Sequence, residues 1–376
     1  MLRFASYAFT PFVVVATVIA SLSFGGAFAF GPLMLIFAVV PGLDVLVGLD
    51  VKQPDDASLS MTRLYRAMCR VWVPLQIGLL AYALHALTAS AQGLDGGEGF
   101  GLLALQVVGL GVATGAVGIT YAHELMHRSN RLDRGLAEVL MASVGYTWFC
   151  IEHVLGHHRN VGTPADPATS RYGESLYSFL PRTVVGGFRS AIALERARCE
   201  RRGIGALDPR HRLLRYGVGL LLLQAGILLW LGPIGWLVWA GQAVVAILLL
   251  EIVNYLEHYG LERRRAPADA ASAVAGERFE RVRPEHSWNS AHAVSNRFLA
   301  NLARHADHHA NANRSFDQLR HFEEAPQLPT GYGAMLLLAM VPPAWFAVMN
   351  PRVQAWRGRA VPESGERVGG QEAAAA

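Results

Sequence analysis

Long charge-free runs alternate along this chain with stretches rich in arginine. Crossing about 30 Å of hydrocarbon takes about twenty helical residues at 1.5 Å each. Six runs meet that length, at about 8–24, 29–49, 71–90, 101–122, 215–231 and 235–255. The pattern predicts an all-α integral membrane protein with six transmembrane helices. The first run also fits a cleavable signal peptide, with Arg3 before it and Ala27-Phe28-Ala29 after it. A second apolar run follows almost at once, which favours a retained helical hairpin. A seventh run, 332–349, contains Pro342-Pro343, a pair that disrupts a helix interior. It is expected to be buried or interfacial.

Charge gives the orientation. Residues 25–28, 91–100 and 232–234 contain no Lys or Arg. Residues 50–70 carry Lys52, Arg63, Arg66 and Arg70, 123–214 carries thirteen arginines, and 256–330 is again arginine-rich. Cytoplasmic loops collect such charges, so the second set is assigned inside, with both termini cytoplasmic in a bacterial inner membrane. The resulting organisation is one domain over 1–350, a membrane base under a cytoplasmic helical cap formed by 123–214 and 256–330. Residues 351–376, ending ESGERVGGQEAAAA, are expected to be a disordered tail.

Composition agrees with this organisation. The chain is 52% hydrophobic and 16% charged, against about 25% charged in a soluble domain. Cys69, Cys150 and Cys199 form no C-x-x-C pair, which excludes a disulfide framework, a fused rubredoxin-type site and a Cys-rich zinc module. No motif supports a nucleic-acid role.

Nine of the fourteen histidines fall into four groups on the assigned cytoplasmic side. They are His123 and His127 in HELMH, His153, His157 and His158 in EHVLGHH, His258 in NYLEHYGL, and His305, His308 and His309 in RHADHH. The pairs 123/127, 153/157 and 305/309 have i,i+4 spacing, which places both rings of a pair on one helix face and lets them share a metal. Buried imidazoles need partners and clustered cationic ones repel, and metal binding resolves both problems. Nine ligands exceed what one ion takes, so two metals with four or five each are expected, leaving positions open for a small molecule. Imidazole suits zinc, copper, iron and nickel alike, so ligand type alone does not choose the metal. His85, His211 and His321 look ordinary, and His286 and His292 are undecided. HELMH alone would also suit an intramembrane zinc protease with Glu124 as base, but that leaves seven clustered histidines unexplained.

These four segments resemble those of membrane-bound alkane monooxygenases, within the histidine-box superfamily of fatty-acid desaturases and hydroxylases. HELMH resembles the first box and EHVLGHHRNVGTPADPATSRYGESLYSFLPR the second. NYLEHYGL is the segment that sets the alkane hydroxylases apart, and RHADHHANANRSFDQLRH, preceded by HSWNS at His286–Ser290, resembles the last box. The likeness covers roughly residues 30 to 330. It implies two iron ions held by His123, His127, His153, His157, His158, His258, His305, His308 and His309. It further implies terminal hydroxylation of medium- to long-chain n-alkanes with O2, using electrons from rubredoxin and an NAD(P)H-dependent rubredoxin reductase. The alternatives are a fatty-acyl desaturase or hydroxylase, an aromatic-methyl monooxygenase and a non-catalytic metal-binding protein.

Ligand histidines are oriented by carboxylates or carbonyls on their other ring nitrogen. Glu124, Glu152, Asp166, Glu257 and Asp307 are candidates by proximity in sequence, and Glu251 because a carboxylate within a span is a functional suspect. For an acidic electron donor, Arg196, Arg198, Arg201 and Arg202 form one candidate docking patch and Arg263, Arg264 and Arg265 another. The same arginines would also meet the headgroups of membrane lipids.

Overall fold

A computed structural model describes residues 2–54, 59–93, 97–266 and 279–359. The described residues are helical, with isolated bridges and no strands. Four apolar helices come first: α1 (Leu2–Phe24), α2 (Gly26–Val47), α3 (Leu59–Gln92) and α4 (Gly97–Met126). The helical stretch Arg212–His258 carries the rest of the base. It is broken at Gly232, whose φ of 69° and ψ of −169° leave the helical region. Gln224 and Trp236 would stand about 18 Å apart in a straight helix. Instead the Trp236 indole N–H donates to Gln224 Oε1 over 3.2 Å, so the chain reverses at Gly232. The halves 212–231 and 233–258 are therefore two antiparallel spans. Together with α1–α4 they make the six runs expected from the sequence, in a multi-pass membrane protein.

The expected buried or interfacial segment is also there, in altered form. Tyr332–Ala339 and Pro342–Arg357 are two helices bent by 119° to one another. The first, at eight residues, is about 12 Å long and cannot cross a bilayer. The proline pair starts the second helix, at the position where a missing N–H costs nothing. That helix takes in Pro351–Arg357, so the first part of the expected tail is helical. Residues 360–376 lie outside the described residues.

Two features set where the site forms. Gly111 and Gly115, four apart on α4, face the span 233–258. A Cβ on Gly111 would stand 2.5 Å from Val245 Cβ and 2.6 Å from the Gln242 carbonyl, and one on Gly115 would stand 3.1 Å from Ala246 Cα. Small residues at this spacing let two membrane helices touch backbone to backbone. The two helices run parallel, so His123 and His258 emerge together at the same end.

The second feature ties the first two helices and the residues after them to the last histidine segment. Asp44, buried at the end of α2, accepts the backbone N–H groups of Val294 and Ser295 at 2.8 and 3.0 Å. Tyr7 donates to Asn301 Oδ1 at 2.7 Å. Ala300 and Asn301 hold φ of 45° and 54°, a left-handed turn that side chains rarely adopt, with two residues between it and RHADHH. The guanidinium of Arg304, fully buried, spans the carbonyls of Asp50 and Leu319 at 2.7 and 2.8 Å.

A histidine-rich metal centre at the end of the spans

Four segments deliver the nine histidines to one pocket. His123 lies in the last turn of α4 and His127 directly follows it; His153, His157 and His158 lie in the helical stretch 149–160; His258 ends the span 233–258; and His305–Ala310 is a short helix. The rings sort into two groups, with the potential ligand nitrogens of each within 4.8 Å of one another. One holds His123, His127, His153, His158 and His308, the other His157, His258, His305 and His309. The groups abut, with the rings of His158 and His309 stacked at 4.4 Å between centroids.

The second segment departs from the expectation. His153 and His157 do not share a group. Residues His153–His157 form a π turn, whose i→i+5 bonding widens the helix by one residue. His153 is thereby brought against His158, with their Nε2 atoms 3.1 Å apart, and His157 is released to the other group. His123/His127 and His305/His309 do stay paired.

Nitrogen faces nitrogen throughout. Nε2–Nε2 separations are 3.1 Å for His127–His153, 3.0 Å for His158–His308 and 3.3 Å for His258–His305. Nε2 of His123, His157 and His309 is buried with no hydrogen-bond partner. Two imidazole nitrogens bound to one ion at about 2.1 Å each, at right angles or slightly wider, stand about 3.0–3.3 Å apart. Burial, reinforced by neighbouring imidazoles, pushes His127, His153, His158, His305, His308 and His309 well below the usual histidine range. They are neutral at physiological pH, the form that binds metal. The donor set therefore fits a pair of metal ions, with five nitrogens for one and four for the other.

Residues 100–339 match the fatty acid desaturase family, so the match spans all four histidine segments. The alkane 1-monooxygenase 2 of Pseudomonas aeruginosa is 41% identical over 326 residues, covering 86% of this chain and 83% of that protein. The alkane 1-monooxygenase 2 of Alcanivorax borkumensis is also 41% identical, over 85% of this chain and 81% of its own. This chain belongs to the alkane 1-monooxygenase family. The xylene/toluene monooxygenase hydroxylase component XylM of Pseudomonas putida is similar at 31% identity over 84% of the chain and 81% of that protein. The protein is thus a membrane-embedded oxidoreductase of the monooxygenase class.

Within this monooxygenase only some of the suspected carboxylates meet the histidines. Asp166 Oδ2 stands 2.9 Å from His157 Nδ1 and also accepts from Thr169 Oγ1 at 2.6 Å. Burial works against charge on His157, but Asp166 outweighs it and holds the imidazole above its usual range. Glu257 Oε2 is 3.2 Å from His305 Nε2, and its other oxygen accepts from the Tyr332 hydroxyl at 2.8 Å. The remaining four turn elsewhere. Glu124 faces Ser315 and Arg128 at 3.2 and 3.4 Å. Asp307 pairs with Arg314 and accepts from the Arg320 backbone N–H at 2.8 Å. Glu152 accepts from Ser190 at 3.3 Å, and burial, with Asp166 adding to it, pushes its carboxyl up to about 8. Glu251 accepts from Tyr146, Thr183 and Asn254 at 2.8, 2.9 and 3.2 Å, a buried polar knot within the membrane.

The other histidines stay outside the cluster. His85 stacks on Trp230, His211 caps the helix that starts at Arg212, His286 sits 3.2 Å from Glu280, His292 bonds Ser290, and His321 bonds Asn289. HSWNS is a packing element, since the Trp288 indole donates to the Tyr259 carbonyl at 2.9 Å. Of the suspected docking arginines, Arg263 is committed to the carbonyls of Glu280, Arg159 and Val161. Arg196 pairs with Glu200, and Arg198 with Glu195. Arg201, Arg202, Arg264 and Arg265 are exposed.

An apolar cavity ends at the five-histidine group. Ile36, Ile119, Leu249, Val253 and Leu336 line it, and His123 and Tyr332 stand at its metal-facing end. No arginine or lysine is among its lining residues. Sequence reading missed Tyr332, whose contact to Glu257 joins positions 75 apart with no periodic signal. It also missed Tyr146 and Thr183, although an intramembrane Glu251 requires such donors.

Proposed function

We propose that the chain is a di-iron alkane 1-monooxygenase that converts medium- to long-chain n-alkanes to 1-alkanols with O2, drawing its electrons from rubredoxin and a rubredoxin reductase. The convergence of nine buried or half-buried imidazoles into groups of five and four carries this reading. His123, His127, His153, His158 and His308 hold one iron, and His157, His258, His305 and His309 hold the other. When bound, the iron pair supplies the reduction of O2 and the oxidation of an unactivated C–H bond, with one oxygen entering the product and the other leaving as water.

The chain's own residues supply binding and orientation. An alkane offers no polar handle, so binding comes from apolar burial and terminal selectivity from shape. The cavity beside His123 has that character. A fatty acid would be better served by a cation at the cavity wall, which its lining lacks. Asp166 holds the His157 ring by its Nδ1 and leaves Nε2 for metal. Tyr332 fixes Glu257 so that Oε2 lies against the four-histidine group, where it can hold a proton. Positive-inside charge supports placement in the inner membrane with cytoplasmic termini. The exposed Arg264 and Arg265, close in sequence to His258, suit an acidic rubredoxin.

The test is reconstitution of the purified protein with iron, rubredoxin, reductase and NAD(P)H on a ladder of n-alkanes, with fatty acids alongside. Mass spectrometry should find 1-alkanols and the protein should carry iron. Bound zinc without reductant-dependent O2 consumption, or desaturated fatty acids as the only products, would refute the proposal.

A further inference from the structure

A pair of further cavities lies away from the histidines, along two helices. One is α5 (Arg131–Ser143), which leaves the HELMH segment and returns toward the membrane. Its far end is held there by Gln76 of α3, which donates to Ser143 Oγ at 2.9 Å, and by Trp239, which donates to the Ser143 carbonyl at 2.9 Å. The other helix is the span 212–231. Near their arginine-rich ends the two, with the end of the helix Leu176–Arg202 and the loop after it, line a cavity of ≈ 680 Å³. Farther along the same helices follows a second, of ≈ 480 Å³. A hydrogen bond between Tyr216 and Glu138, 2.8 Å long, stands at the boundary.

The two cavities have opposite chemistry. Seven arginines and one glutamate line the first. Arg198 and Arg212 share Glu195, Arg210 pairs with Asp208, and Arg215 stands 3.7 Å from Glu138. The cavity keeps a clear cationic excess, concentrated on Arg131, Arg134 and Arg202. The second cavity is lined almost wholly by apolar side chains, among them Leu80, Val139, Leu223, Ile227 and Trp230. Arg212, Tyr216, Leu223, Ile227 and Trp230 recur at helical spacing, so a single stripe of the span runs from the cationic cavity into the apolar one. Tyr216 and Trp230 are about 21 Å apart along it.

We propose that this groove is a binding site for one anionic glycerophospholipid, its phosphate among the arginines and an acyl chain in the apolar slot. Arginine binds phosphate through paired N–H groups, and basic pockets between spans on the cytoplasmic side suit anionic headgroups. A soluble acidic protein could use the charge but would leave the apolar slot unfilled. The lipid would brace α5, whose first residue lies four positions after His127, against the span that leads to the membrane's far side.

Native mass spectrometry of the delipidated, folded protein tests this with dioleoyl phosphatidylglycerol, dioleoyl phosphatidylcholine and glycerol phosphate as probes. Phosphatidylglycerol should be retained about tenfold more tightly than phosphatidylcholine, and the Arg131→Gln/Arg134→Gln/Arg202→Gln variant should lose that preference, its phosphatidylglycerol affinity falling about tenfold to the level of phosphatidylcholine. Those three arginines have no carboxylate partner among the described ion pairs, so the change orphans no acid. Gly226 lines the slot, and a Cβ there meets nothing within 4 Å. Gly226→Leu favours the helix and fills the slot. It should weaken phosphatidylglycerol while leaving glycerol phosphate unchanged, and it carries the test alone should the triple variant fail to fold. Equal retention of the two lipids overturns the proposal. So does an unchanged phosphatidylglycerol affinity in Gly226→Leu, which would mark a site for free phosphate. Arginine variants that keep the lipid but lose rubredoxin affinity would assign the patch to the protein partner instead.

Discussion

His153 Nε2 lies 3.1 Å from Nε2 of His158, five residues on, while His157, four residues on, belongs to the other group. Adjacent residues in the same motif therefore serve different halves of the centre. His157→Ala and His158→Ala should each lose about half of the bound metal, and the double variant should lose nearly all of it. Metal analysis of the purified proteins reads this out directly. Equal and total loss in both single variants would show that the two groups do not load independently. Each variant is also expected to lose nearly all hydroxylation.

Asp166 meets a histidine ring and Glu152 does not, although both lie near the second motif. Asp166→Asn should lower metal affinity about 10–100-fold, as expected when a ligand's supporting carboxylate is lost. Glu152→Gln keeps its shape and its Ser190 contact, and should change metal affinity by less than about threefold. Competition with a chelator of known affinity ranks the two. A larger effect from Glu152→Gln would mean that charge near the site matters more than contact with the ring.

Much of this was legible from the sequence, for reasons that also mark the limit. The bilayer's thickness fixes span length, so the six runs stood out, including the break at Gly232. The nine histidines stood out because the motifs place them at helical spacing. Their division did not, because a π turn adds one residue per turn and i,i+4 counting cannot see it. Proximity in sequence also failed for Glu124 and Asp307. Both sit beside clustered histidines, but a helix turns neighbouring side chains about 100° apart, and these two face Arg128 and Arg314 instead. Tyr332 was hidden for a different reason: its contact with Glu257 arises from the 119° bend between two helices that read as a single apolar run.

The Gly111–Val245 contact leaves no room for a side chain. Gly111→Val must push α4 away from the span 233–258, and with it His123 away from His258. Overpacking of this kind costs about 1–3 kcal/mol. The variant should melt earlier and bind metal more weakly, in proportion to one another. Gly78 offers the control, since a Cβ there meets nothing within 4 Å, and Gly78→Ala should leave the melting temperature level or slightly raised.

Glu195 joins the cap to the start of the span 212–231 through Arg212 and also pairs with Arg198 of its own helix, at 2.6 Å each. Burial alone would raise its carboxyl, but the hydrogen bonds from the two arginines outweigh it and pull it down to about 2. A carboxyl lowered on folding stabilises the protein above its unfolded value of about 4.5, and that stabilisation fades as pH falls toward 2. Thermal unfolding of wild type minus Glu195→Gln should therefore give a difference that is constant at neutral pH and shrinks below about pH 4.5. A constant difference at all pH would mean that Glu195 acts through packing alone.

Leu249 lines the apolar cavity and lies nine residues before His258, about 13 Å along the same helix. It therefore stands well back from the metal-facing end, where only the distal part of a long alkane would reach. Leu249→Phe should reject the longest alkanes while turning over short ones at near the original rate. Leu249→Ala should extend the accepted range, with a stability loss of about 2–5 kcal/mol as the upper bound for a fully buried leucine. Product distributions over a ladder of n-alkanes, normalised to the metal content of each preparation, separate a change in chain-length range from a loss of loaded enzyme. A uniform fall across all lengths in Leu249→Phe would place the substrate elsewhere than in this cavity.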